Sequence, residues 1–544
     1  MEGLRRLRME KAVTRLWERD ATLFSDDPEV QAVDATRFGW LGLSARAAAD
    51  AAALDPLAGE LADAGITDIV LLGMGGSSLA PLVMSRILGP LSGAGMRLHV
   101  LDTTSPTGVA AVRDSLLPGS TLVIVASKSG TTIEPLSLYS VFRSWVDATH
   151  GDEAGAHFIA ITDPGSDLET LAREHGFSAI FHAPADVGGR YSALTPFGTV
   201  PVSLIGIDVA DLARRAAAME SACRNEVDDN PGAKLAAFIA NGHSVGRDKL
   251  TIVCSDHIAS FGLWVEQLIA ESSGKGGLGV LPVLDTPDVD PGLYGDDRLV
   301  VTLTVAGDTS LNAYRRGLRA DTPRMDITLA DEHDIAGEFV RWEVATALAC
   351  FLIGVEPFDQ PNVAVAKKAT DDILAGRIAA PRKSCDDGDI EVTILLPNAP
   401  LTCSASVAIN ALVGDVKRGD YLAILAYLPD DSDLIAPLRE AVAKISSTRR
   451  IAVTLEIGPR YLHSTGQLHK GGPATGHYLI ITTRDETGPS IAGKPFTLAQ
   501  LHRAQGEGDL ATLVALGRPV VRLDLPAPWF PYVAGVAHAL TSSL

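Results

Sequence analysis

The chain has 544 residues, a formal net charge of −21, 46% hydrophobic residues and only 5% aromatic ones. Such a chain is too long for one hydrophobic core and too apolar to be disordered. Its acidity argues against nucleic acid and anionic membranes, which need a basic footprint, but not against a small anion that meets one pocket.

The opening "MEGLRRLRMEKAVTRLWERD" reads as a charged amphipathic helix, without the apolar stretch of a signal peptide. From Ile66 short apolar runs alternate with helical segments. "DIVLLG", "RLHVLD", "TLVIVAS" and "HFIAITD" are expected strands. That alternation predicts a parallel sheet covered on both faces. The pattern restarts after "DLARRAAAMESACRNEV", with strands "KLTIVCS", "RLVVTLTV" and "RMDITLA". A polar linker, "APRKSCDDGD", precedes a third α/β unit with strands "IEVTILL", "YLAILAYL", "RIAVTLEI", "HYLIITT" and "RPVVRLDL". We therefore expect a helical segment over 1–40, doubly wound parallel-sheet domains over 41–212 and 213–380, and a C-terminal α/β domain over 381–544.

The most apolar long window, "VTILLPNAPLTCSASVAINALVG", is broken by prolines and Asn398, so no membrane span is expected. Cys223, Cys254, Cys350, Cys385 and Cys403 are scattered, odd in number and free of CxxC spacing. They read as reduced thiols, with no zinc site, in a cytoplasmic protein.

In open α/β sheets ligands bind where strands end and helices begin. The first such loop is "GMGGSSLAP", residues 73–81, whose glycines let backbone N–H groups approach a ligand. By itself it is equally a tight strand–helix turn. "SKSGTT", residues 127–132, is sharper, with four hydroxyls, a lysine and a glycine. Capping a helix needs one hydroxyl, and four of them at a helix N-terminus suit a phosphate dianion. "GGRYSALTPFG" sets Arg190 behind two glycines, and a guanidinium can stabilise developing negative charge without losing its proton. The helix "FGLWVEQLIA" runs into "ESSGKGG", which puts Glu271 at the mouth of a cleft or on a plain helix end. "PFDQPNVAVAKK" places Gln360 before a helix and Lys367 one to two turns inside it.

The order and spacing of these five motifs resemble glucose-6-phosphate isomerases, built from two sugar-isomerase (SIS) domains. The resemblance covers about residues 40 to 380. The third domain, with "RYLHSTGQLHKGGPATGHYLIIT", is similar to the end of the isomerase half of bacterial transaldolase–isomerase fusions. No transaldolase domain fits before the tandem domains, so a stand-alone isomerase of that branch is expected.

The resemblance implies interconversion of glucose 6-phosphate and fructose 6-phosphate, without metal or cofactor, in a homodimer. It assigns Glu271 as base, Arg190 as the enediolate's partner, and Lys367 and Gln360 as residues near the phosphate and ring oxygen. It assigns Gly76, Ser77, Ser127, Lys128, Ser129, Thr131 and Thr132 to the sugar phosphate, with Gln267 one helical turn before the base. The family's ring-opening histidine, expected in "LRADTPRMDITL", is missing. Either His333, which follows that strand, or His463 or His469 of the C-terminal motif replaces it, or ring opening is weak. Two further readings remain: an isomerase that also takes mannose 6-phosphate, and a SIS sensor that binds the sugar phosphate without converting it. A sensor needs the hydroxyl loop but no base.

Overall fold

The computed structural model describes residues 2–92, 95–284, 289–377, 385–398, 403–484, 487–542 and 544, with 363 and 364 described in backbone only. Three sheets organise the chain. The first holds β1 (Asp68–Leu72), β2 (Arg97–Leu101), β3 (Thr121–Ala126), β4 (Phe158–Thr162) and β5 (Ala179–His182), all parallel, in the order β2-β1-β3-β4-β5. The second holds β6 (Lys249–Cys254), β7 (Leu281–Leu284), β8 (Arg298–Val305) and β9 (Arg324–Leu329), also parallel, in the order β7-β6-β8-β9. Every residue of β1, β3 and β6 is buried, as a strand covered on both faces requires. In both sheets the strand order reverses beside the first strand. The loops after β1 and β3 therefore part and leave a crevice at their carboxyl ends.

Six helices matter for that crevice: α1 (Leu79–Ser92), α2 (Ile133–His150), α3 (Phe261–Ser273), α4 (Pro361–Leu374), α5 (Ser432–Arg449) and α6 (Leu498–Ala515). α1 follows β1, α2 follows β3 and α3 follows β6. One apolar core joins the two parallel sheets, running from Ile69, Leu71 and Ile124 to Ile252, Leu299 and Val301, with Trp264 and Trp342 inside it.

The third sheet holds β10 (Cys385–Asp387), β11 (Ile390–Leu395), β12 (Tyr421–Ala426), β13 (Ala452–Ile457), β14 (Gly476–Arg484) and β15 (Val520–Pro526). Its order is β10-β11-β15-β14-β12-β13, and β11 is antiparallel to both β10 and β15. α6 packs against α4, bringing this part of the chain to the end of the parallel sheets. Arg460 ties the same two parts together. It donates to Asp102 at 2.7 and 2.8 Å and to Asp430 at 2.8 Å. Among the described residues no helix is long and apolar enough to cross a membrane.

One expectation is corrected here. Cys385 and Cys403 are joined in a disulfide, while Cys223, Cys254 and Cys350 are free and buried. The β10–β11 hairpin folds back on the segment leading to Ala405–Asp415, setting the two Cα atoms 5.8 Å apart, a bridging distance. The polar composition of that stretch hid the hairpin.

Candidate active site

The loop after β3 is held by its own hydroxyls. The Ser127 hydroxyl accepts from the Gly130 N–H and donates to Thr132, both at 3.2 Å, and Ser129 and Thr131 bond each other at 2.8 Å. Gly130 sits at φ +72°, and a Cβ there would come within 2.3 Å of the Leu168 nitrogen. Thr132 is the N-cap of α2, yet its side chain makes no capping bond. Lys128 turns away from its neighbours. It pairs with Asp163 at 2.5 Å and donates to the Ala185 carbonyl at 3.0 Å.

Ser129, Thr131 and Thr132 line a cavity of about 170 Å³. Lys367 of α4 and His463 line it too, so three sequence-distant motifs meet there. His463 closes the turn Arg460–His463. Its Nε2 pairs with Glu134 Oε1 at 2.9 Å, and Gln505 of α6 donates to the same oxygen at 2.8 Å. Burial pushes the Glu134 carboxyl up, but the charge and hydrogen bond of His463 outweigh it and hold the group below its usual range.

Glu271 and Arg190 lie behind this wall, in a buried cluster. Gln267 bridges the two places, donating to the His463 carbonyl at 2.8 Å and to Glu271 Oε2 at 3.3 Å. The four-residue spacing of Gln267 and Glu271 sets both on one face of α3. Glu271 is 5% exposed and Arg190 4%. The guanidinium Nη1 stands 3.6 Å from Glu271 Oε2. Its other nitrogens donate to Ser272 Oγ at 2.9 Å, to the Asp359 carbonyl at 3.0 Å and to the Pro357 carbonyl. Burial raises the Glu271 carboxyl above its ordinary value, against the opposing charges of Arg190, His463, Lys275 and Lys367. The arrangement can hold a carboxylate able to take and return a proton, beside a cation that cannot give one up.

The turn Gly75–Ser77 abuts this cluster. A Cβ on Gly75 would meet Gln267 Nε2 at 2.8 Å and the His463 carbonyl at 3.0 Å. A Cβ on Gly76 would come within 2.0 Å of the Gly189 carbonyl oxygen, and Ser192 donates to the Gly76 carbonyl at 3.1 Å. Gly76 thus lets the first loop lie against the loop that carries Arg190. We expect Gly76→Ala to destabilise the protein by about 1–3 kcal/mol, because backbone rather than a flexible side chain must yield. A lowered urea midpoint would register it, and an unchanged midpoint would contradict this packing.

Other expected site residues lie elsewhere. Gly76, Ser77 and Ser127 do not line the cavity, and Gln360 is exposed at the N-cap of α4. His469 is 1% exposed in a separate network, bonded to Glu456 at 2.8 Å and Tyr421 at 2.9 Å. His333 stands beside Asp331, 3.7 Å away, and does not line the cavity. Sequence reading missed Glu134 and Gln505. Glu134 follows the hydroxyl loop by two residues, but an acid in a first helical turn ordinarily reads as a complement to the dipole. Nothing local distinguishes Gln505.

A family model described as phosphoglucose isomerase matches residues 58–279. Over 358 residues the chain is 31% identical to the glucose-6-phosphate isomerase of a Synechococcus strain, a match covering 57% of this chain and 66% of that protein. It therefore spans just under two thirds of that relative's length. Over 359 residues it is 30% identical to the glucose-6-phosphate isomerase of Rubrobacter xylanophilus, covering 56% of this chain and 82% of that one. Two solved structures share the fold. A hypothetical protein of Thermus thermophilus aligns at TM-score 0.58 and 23% identity, covering 69% of this chain and 97% of its own. A glucose-6-phosphate isomerase of Chlamydia trachomatis aligns at TM-score 0.53 and 21% identity, covering 67% and 78%. The family match ends before Lys367 and His463.

Proposed function

The chain belongs to the glucose-6-phosphate isomerase family, and on that premise we propose that it interconverts glucose 6-phosphate and fructose 6-phosphate. One observation carries the proposal. A buried glutamate faces an arginine at 3.6 Å, one hydrogen-bonded step behind a cavity edged by hydroxyls at a helix N-terminus. The hydroxyl loop with the α2 N-terminus binds the phosphate group, and Lys367 adds charge. His463, oriented by Glu134, moves the proton that opens the sugar ring. Glu271 then takes the proton from C2, leaving an enediolate whose charge Arg190 offsets, and returns it to C1. No external oxidant or reductant is needed, because the aldehyde at C1 is reduced as the alcohol at C2 is oxidised.

A coupled assay of glucose 6-phosphate formed from fructose 6-phosphate tests this directly. Tight sugar-phosphate binding without conversion would favour the sensor reading instead. Conversion of mannose 6-phosphate in the same assay would widen the substrate range. We further propose a homodimer working in the cytoplasm. Light scattering at working concentration checks the first, and fractionation checks the second.

The phosphate loop has its own expected result. Ser127→Ala with Thr131→Ala should raise KM for fructose 6-phosphate. Thr131 loses a hydrogen bond to a charged group, worth roughly 1.5–3 kcal/mol, and Ser127 loses the bonds to Gly130 and Thr132 that hold the loop, so the loss is on the order of tenfold or more. An unchanged KM would remove this loop from the phosphate site.

A further inference from the structure

Glu134 and His463 stand at one end of a longer line of hydrogen bonds. Thr104 lies just past β2, and α6 sets His502 and Gln505 three residues apart, on one face of the helix. The Thr104 hydroxyl stands 2.6 Å from Gln505 Oε1 and 3.0 Å from His502 Nδ1. Gln505 Nε2 reaches Glu134 Oε1 at 2.8 Å, and the same oxygen meets His463 Nε2 at 2.9 Å. All five side chains are buried, so water does not compete for these bonds.

The donors and acceptors along this line are not independent. An ionised carboxylate only accepts, so with Glu134 ionised Gln505 must turn its amide nitrogen toward it and its carbonyl toward Thr104. A carbonyl also only accepts, so the Thr104 proton goes to Gln505. The Thr104 oxygen is then left to accept from His502 Nδ1–H. His502 can play that part, because burial pushes its pKa down to about 4 and the ring carries one proton near neutrality. Its other partner, the Tyr427 carbonyl, stands off at 3.4 Å from Nε2. Reversing the line would put Gln505 Oε1 against Glu134 Oε1, and two acceptors share that contact only if the carboxyl is protonated. One polarity thus fits a charged Glu134 and the other a neutral acid.

At the far end the same logic fixes His463. A Glu134 oxygen that only accepts needs the proton on His463 Nε2, so the neutral ring keeps its lone pair on Nδ1. That nitrogen makes no hydrogen bond among the described residues. We propose that Thr104, Gln505 and His502 are positioning residues for ring opening, holding His463 as the Nε2–H tautomer with Nδ1 as the nitrogen that works on the sugar. Nδ1 takes the proton of the anomeric hydroxyl as a carbonyl forms at that carbon. The bond to the ring oxygen breaks with its electron pair on the oxygen, and the same proton passes there. This inference rests on the isomerase reading. Two other charged groups take part in the electrostatics, Lys367 beside Glu134 and Glu271 beside His463, and every variant below keeps both.

Nitrogen NMR of the full chain with ring-labelled histidine reads the polarity directly, assigned by the His502→Gln difference spectrum. His502 should be the Nδ1–H tautomer in the wild-type protein. Gln505→Met frees the Thr104 proton for His502 Nδ1, so His502 should change to the Nε2–H tautomer bonded to Tyr427. The same variant should slow net isomerisation of fructose 6-phosphate about tenfold. Deuterium exchange into 5-deoxyfructose 6-phosphate, which needs no ring opening, should change much less. Thr104→Val should reproduce that split and Thr104→Ser, which keeps the hydroxyl, should restore the wild-type ratio. His502 as Nε2–H in the wild-type protein would overturn the proposal, and that measurement needs no variant to fold. Equal slowing of both reactions, or none, in a folded variant would also overturn it. No isomerisation by the wild-type protein would fail the isomerase reading itself, and with it the role in ring opening, while the His502 tautomer would still decide the polarity.

Discussion

Glu271→Gln is expected to lower kcat by about 10²–10⁴-fold while leaving KM for fructose 6-phosphate within a few-fold. The amide keeps the shape and can still accept the Gln267 N–H that reaches Glu271 Oε2 at 3.3 Å. What it loses is the ability to take a proton from carbon. The pH profile supplies a second readout. Burial raises the Glu271 carboxyl, so protonation begins at a higher pH than for an exposed glutamate. Since the reaction needs the carboxylate, kcat should fall as the medium is acidified through that raised value. The variant's residual rate should lack this acid limb. A variant with the wild-type kcat would place the base elsewhere and return the helix end to a structural role.

His463→Ala should separate two steps. Net isomerisation of cyclic fructose 6-phosphate should slow by about 10²-fold or more, because ring opening loses its positioned acid–base group. Exchange of solvent deuterium into 5-deoxyfructose 6-phosphate, which lacks the ring-closing hydroxyl, should change only a few-fold. A histidine suits this step because its unperturbed pKa, about 6.5, lets it both give and take a proton near neutrality. His469→Ala is the control. It removes bonds to Glu456 and Tyr421 and should cost stability rather than ring opening. Equal slowing of both reactions by His463→Ala, or no slowing, would leave His463 as packing.

The parallel strands were legible because their physics is local. "DIVLLG" and "TLVIVAS" are continuous apolar runs, and only a sheet covered on both faces buries such runs completely. β5, β7 and β10 were not read. The first two are four-residue edge strands, β7 with Pro282 inside it, and β10 is three polar or thiol residues at another edge. The hydroxyl loop was legible for the same reason as the strands, since all its residues are neighbours in the chain. The Glu134–His463–Gln505 group was not, because its partners stand 329 and 371 residues apart and each alone has an ordinary explanation. The same distance in sequence left His463 and His469 equivalent on paper. Folding separates them, turning one toward the hydroxyl loop and the other into a tyrosine-lined interior.

The walls described for the cavity all come from one polypeptide, with Thr131 and Lys367 on one part and His463 and Gln505 on another. Their meeting is intramolecular, so the concentration of one wall as felt by the other is set by the chain and not by the solution. Loop closure grows only slowly with length, about 0.6 kcal/mol for each doubling, so the long separation of Glu134 from His463 is a small handicap. Dilution cannot pull these walls apart, whatever becomes of contacts between chains.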